Sequence, residues 1–146
     1  MDRTPALAVI EAATVGLPFC AFKILTGIWL TAVPWFGPLG IALIALGGID
    51  ALLNIVNVAA LLLARRRVLP VCVLHFAAAR IRPSFADVGL GLDTLLSFSL
   101  VATMVGLGTI GALTTAQASL WSLAVVLNVL GAGVLRLAHG LRSVER

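Results

Sequence analysis

Charge is what this sequence has least of. Of 146 residues, 6 are acidic and 10 are Lys or Arg, 11% in all, against about a quarter in an average soluble domain. Apolar residues make up 61%, which excludes an ordinary soluble domain. Cysteine is scarce as well. Cys20 and Cys72 form no CxxC and no metal-ligand spacing, so neither a disulfide framework nor a zinc site follows; both read as small apolar filler. The motifs of soluble chemistry are missing too: there is no nucleophile elbow, no metal-binding motif and no phosphate-binding glycine loop. Ser97 and Ser99 have no histidine at their expected depth. An enzyme is therefore the least supported class, and no metal or other cofactor is expected. The net charge of +4 would suit nucleic acid, but basic residues at the ends of membrane spans have a sufficient cause in the positive-inside rule. No nucleic-acid partner is expected.

What is present is apolar sequence in four long segments, about 6–33, 39–64, 86–113 and 117–137, with a mean hydropathy of +1.14 over the chain. Each is long enough to cross a bilayer, which takes about 20 residues. They fill one domain and leave too little chain for a soluble catalytic one. Pro34, Gly37 and Pro38 stop the first segment and allow a tight reversal. The polar stretch Thr114-Thr115-Ala116-Gln117 separates the third and fourth. Thr4-Pro5 reads as an N-cap followed by proline at the first helical position, and Ser84, three residues before Asp87, as a capping-box variant opening the third helix. Leu17-Pro18-Phe19-Cys20 is faintly similar to a lipoprotein cleavage site, but Glu11 interrupts the apolar stretch and Pro18-Phe19 are not small. Residues 5–33 are expected to be a retained helix.

In a four-span threading Arg3, Arg65, Arg66, Arg67, Arg80, Arg82, Arg136, Arg142 and Arg146 all fall on one side, and neither short loop on the other side carries a charge. The positive-inside rule then places both termini and the 65–85 linker in the cytoplasm. Trp35, Phe36 and Trp121 suit the aromatic belt of the opposite interface. Within the linker, Pro70 to Arg82 is expected to form a short helix lying on the inner leaflet, with Arg65, Arg66, Arg67, Arg80 and Arg82 near anionic headgroups; an irregular cytoplasmic strap is the competing expectation. The fold class is thus an all-α integral membrane protein, a four-transmembrane-helix bundle of two hairpins with both termini inside and a basic interfacial segment between the hairpins. A bacterial cytoplasmic membrane is the expected location.

The first hairpin sets Lys23 against Asp50. Lys23 lies 13 residues before Phe36 and Asp50 lies 14 after it, so both sit roughly 20 Å from the turn at 1.5 Å per residue, inside a hydrocarbon core about 30 Å thick. An ionisable residue at that depth needs a partner or a function. Asn54 and Asn57 follow Asp50 at i+4 and i+7 on one helix face, and Asn128 reaches a similar depth on the fourth helix. Gly16, Cys20, Lys23 and Gly27 form a seam of mostly small residues on the first helix, Gly108 and Ala112 a small pair on the third, and Gly131 to Gly133 a patch on the fourth; such residues let helices approach. Thr94 and Ser97 add hydroxyls. Asp93 and Arg136 are expected to pair near the inner interface. Asn57-Val58 with Arg65 repeats as Asn128-Val129 with Arg136, a short match that leaves duplication and chance both open. His75 and His139 could ligate a haem, although linker histidines commonly lie free at the surface.

The function expected from these features is a non-catalytic subunit that assembles with itself or with a larger membrane protein, its polar stripe fixing helix register in contact with the lipid bilayer. The alternative is a small oligomeric transporter or channel that uses Lys23 and Asp50.

Overall fold

The computed structural model describes residues 5–144, without the side chains at 139 and 142–144. Among the described residues helix is the only regular secondary structure, and four helices are long and apolar enough to cross a membrane: Pro5–Thr31, Gly37–Ala64, Pro83–Gly106 and Thr115–Ala138. In chain order the elements are α1 (Pro5–Glu11), a π-helical turn (Ala12–Gly16), α2 (Leu17–Thr31), α3 (Gly37–Ala64), α4 (Val73–Ile81), α5 (Ala86–Gly106) and α6 (Thr115–Val144), with 3-10 turns at Pro83–Phe85 and Thr109–Ala112.

The first span is not one uniform helix. The Leu17 amide reaches back to the Ala12 carbonyl, one residue further than the α pattern. Pro18 explains the site of the break: it has no N–H to give Thr14, and a wide turn just before it takes up the change. Trp35 turns the chain into α3 with φ of 70° and is almost fully exposed.

The buried positions of α3 are Gly40, Leu43, Gly47, Asp50, Asn54, Asn57 and Leu61. Their spacing alternates between three and four residues, the 3.5-residue period that keeps one seam facing a partner helix. Along this seam α2 comes very close. A methyl group on Gly27 would lie 2.7 Å from the Gly40 carbonyl oxygen, and one on Gly47 would lie 2.9 Å from that of Cys20.

The first span is the hub of the molecule. It packs against α3, α5 and α6, and those three lean on it rather than on one another. On the α5 and α6 side the contact is apolar: Phe19, Phe22 and Leu25 meet Met104, Trp121 and Ala124, with the Phe22 and Trp121 rings 5.0 Å apart. Trp121 is thus a core residue, 3% exposed, and not part of an interface belt. Gly131 of α6 seats Thr14, where any side chain would overlap. The outward faces carry exposed leucine, isoleucine, valine and phenylalanine.

Other local expectations are also corrected. α5 ends at Gly106, and Gly108 (φ 66°) makes a turn, so Gly108 and Ala112 do not form a helix seam. Ser84 does not cap α5; Phe85 occupies that position and makes no side-chain bond. The capping box lies instead at the start of α6, where Thr114 Oγ1 accepts from the Gln117 amide at 3.3 Å and Gln117 Oε1 from the Thr114 amide at 2.9 Å. Thr4 lies outside the described residues.

The glycine seam is testable. Gly40→Leu must push α2 and α3 apart and is expected to cost about 1–3 kcal/mol, read as an earlier unfolding midpoint in detergent. Gly48→Ala, with nothing within 4 Å, is expected to leave that midpoint unchanged or raise it.

Candidate functional site

Lys23 is fully buried, and its ammonium donates to two carboxylates: Asp50 Oδ2 at 2.6 Å and Asp93 Oδ1 at 2.5 Å. The expected Lys23–Asp50 pair is present, but it is two-thirds of a cluster. The third member had been assigned to Arg136. Arg136 is exposed on α6, and α6 does not pack on α5, so the Asp93–Arg136 pair does not form. The reason lies in where α5 ends. With the helix stopping at Gly106, Asp93 stands 14 residues before Leu107, the same count that separates Asp50 from Phe36. A helix continuing to the end of the apolar segment at Leu113 would set Asp93 about two turns further from the turn.

The rest of the α3 seam serves the linker. Asn57 Oδ1 accepts from the amides of Val68 and Leu69 at 3.2 and 3.0 Å, and its Nδ2 donates to the carbonyls of Leu69 and Pro70. Asn54 Nδ2 donates to the Val71 carbonyl at 3.2 Å. Asp50 Oδ1 accepts from the Val73 amide at 2.7 Å, at the first residue of α4. The strap between α3 and α4 therefore folds back along α3 for two turns, from Asn57 to Asp50. α4 then runs out again beside α5, where Gly89 makes room for the Leu74 carbonyl. The linker is a re-entrant strap and helix; it does not lie flat across the end of the bundle. Non-helical backbone of this kind needs partners for its buried polar groups, and Asn54, Asn57 and Asp50 supply them for the amides of Val68, Leu69 and Val73 and the carbonyls of Leu69, Pro70 and Val71. Gly16 lets Asn54 reach that place, since a side chain there would collide with the amide.

Cys72 closes the strap. It is 3% exposed, and its sulfur accepts from the His75 amide at 3.4 Å as the N-cap of α4. Burial pushes its thiol up from 9.0 to about 11.

Above the cluster lies a cavity of about 330 Å³ between the π-helical turn, the strap and the start of α5. Lys23, Asp50 and Asp93 form its floor. Glu11 and Arg67, joined by an ion pair of 2.7 Å and each about a quarter to a third exposed, stand at its rim with the exposed Asp87. Val15, Phe19 and Leu90 form apolar wall. Every described acidic residue (Glu11, Asp50, Asp87 and Asp93) lines this one cavity, whereas of the basic residues only Lys23 and Arg67 do.

The remaining candidates divide. Asn128 is buried, but its Nδ2 has no hydrogen-bond partner, so it does not join the network. Arg67 is held by Glu11 and is not a free headgroup ligand. Arg65 and Arg66 are exposed at the end of α3; Arg80 and Arg82 are exposed and lie over the Phe76 and Phe85 rings at 5.7 Å. His75 lines the cavity, and its Nδ1 has no partner. His139, the other haem candidate, lies outside the described side chains. Among the described residues no group of three or more His, Cys, Asp or Glu could hold a metal ion. Glu11, Asp87 and Cys72 belong to the site without having been proposed for it; the sequence signal for Glu11 was a carboxylate interrupting an apolar helix. No protein-family model, curated protein or solved structure matches the chain.

Two measurements probe this arrangement. Asn57→Ala removes both acceptor and donor from the strap, and amide hydrogen exchange at Val68 and Leu69 is expected to rise about tenfold, with α6 unaffected. Cys72 is expected to resist maleimide at pH 7.5, because the thiolate is the reactive form, and to react as pH rises toward 11. The fold favours the neutral thiol, so its stabilising contribution is complete below pH 9 and is lost as pH climbs through about 11.

Proposed function

We propose that this chain is a small multi-pass membrane protein of transport type. In this reading a solute enters the cavity from the arginine-rich end, which the positive-inside rule assigns to the cytoplasm, and reaches the Asp50–Lys23–Asp93 cluster. The observation that carries the reading is the cavity itself: it joins an exposed rim to a buried ionic cluster halfway along α3. Intramembrane ionisable residues in contact with such a cavity commonly mark solute pathways. Beyond the cluster, Phe22, Leu25, Met104 and Trp121 close the opposite side, as one-sided access requires. The half-helix α4, whose N-terminus meets Asp50, is the kind of broken element that builds transporter sites.

A non-catalytic subunit is the second reading. It is favoured by the splayed placement of α5 and α6, which pack on the first span and hardly on each other. It also draws support from Asp50, Asn54 and Asn57, whose bonds are made to the protein's own backbone and to Lys23.

Reconstitution separates the two. Currents on a solid-supported membrane are to be recorded from proteoliposomes given steps of cations, anions and neutral solutes. Transport predicts a response to one class that Asp93→Asn abolishes while the mass in mild detergent stays the same. Silence to all classes, together with a stable complex with a different membrane protein, would establish the subunit instead.

A further inference from the structure

We propose that the cavity is a binding site for a small organic cation, a protonated amine that donates to Asp93 Oδ2 and lays its apolar part against Val15, Phe19 and Leu90. The inference rests on the cavity underlying the transport reading and adds the chemical class of its ligand.

The sign of the cavity is the first argument. The chain carries a net charge of +4, yet among the described residues the cavity is lined by four carboxyl groups against two basic side chains. Neither cation is free to hold an anion. Lys23 already donates to two carboxylates, and Arg67 is tied to Glu11. An anionic solute would meet no free ammonium or guanidinium, only the His75 ring and an excess of carboxyl groups.

The second argument is an open valence on a buried side chain. Asp50 uses both oxygens, one for Lys23 and one for the Val73 amide. Asp93 uses only Oδ1. Its side chain is 6% exposed, and Oδ2 has no hydrogen-bond partner while the residue lines the cavity. A mostly buried carboxyl group with one oxygen not bonded by the protein can take a further donor, and a charged donor gives the stronger bond.

Size and wall chemistry exclude a bare ion. A volume of about 330 Å³ is in the range of sites for small organic molecules and far exceeds one dehydrated metal ion. Three or more metal-ligating side chains do not converge anywhere among the described residues. The walls at Val15, Phe19 and Leu90 offer apolar surface beside the carboxylate, a surface that hydrated ions do not use.

Binding is tested with full-length protein in nanodiscs, by calorimetry, using three probes of one shape: benzylammonium, benzyl alcohol and benzoate. Benzylammonium is expected to bind saturably, at least about tenfold tighter than the alcohol, as a charge-assisted bond implies, and benzoate not to bind. Asp93→Asn is expected to weaken benzylammonium by a similar factor. If that variant fails to fold because Lys23 loses a partner, Leu90→Trp decides: it fills the apolar wall, leaves the ionic cluster intact and is expected to abolish binding. Benzoate binding as well as the amine, or amine binding unchanged in the variant that folds, overturns the proposal. The transport reading fails separately. If amines bind as expected but no solute gives a current, the site stands without transport. If an anion or neutral solute gives Asp93-dependent currents while amines do not bind, transport stands without this ligand class.

Discussion

One ammonium, that of Lys23, is buried with no access to solvent and is neutralised by carboxylates from two other helices. Removing a lysine from water is affordable only with close opposite charge, so the position of Lys23 constrains α3 and α5 together. The first span already carries the glycine seam that admits α3 and the phenylalanines that meet α5 and α6. It is the only span with all three other spans packed closely on it, and its lysine fixes the register of two of them. A shift of α3 by one residue would turn Asp50 about 100° away from Lys23 and strand both charges.

From that fixed point the strap follows. Asp50 can hold the start of α4 only because Lys23 holds Asp50. Once the amide of Val73 is tied there, the chain between Ala64 and Val73 must run back along α3. Peptide groups that turn toward α3 on that path need partners there. Asn57 meets four of these needs and Asn54 a fifth, at the i+4 and i+7 positions that face the path. An amide side chain suits the task better than a carboxylate or a hydroxyl, since it both donates and accepts.

The parts of this arrangement that could be read in the sequence were those set by periodicity and by distance from a turn. The four apolar segments, the reversal at Pro34–Pro38 and the facing of Lys23 and Asp50 depend only on helical rise and on proline and glycine chemistry. What could not be read depended on tertiary choices. Asn54 and Asn57 look like interhelical bonding groups because an amide does not reveal whether its partner is a helix or a strap. Asp93 was misassigned because the sequence from Leu107 to Leu113 is as apolar as a helix interior, and only the left-handed Gly108 shows that the helix has already ended. Trp121 sits near the start of its helix, where an interface belt and a core position carry the same apolar, aromatic signature. The polar stretch Thr114–Gln117 carries the spacing of a capping box as well as the composition of a separator.

The cavity shows why the two aspartates are not equivalent, although both touch the same lysine. Asp50 is bound on both oxygens by the protein, so its loss would release the strap as well as Lys23, and a defect in Asp50 variants would not distinguish structure from function. Asp93 accepts from Lys23 on one oxygen only, and the residue lines the cavity. Its replacement by asparagine keeps the shape and an oxygen for Lys23, and removes the charge that an incoming cation would meet. The cluster also holds one ammonium and two carboxyl groups, one carboxyl more than a simple ion pair needs. A pair alone would serve to lock the helices. The second carboxylate is what a lock does not need, and in this chain it is placed where the cavity meets the floor.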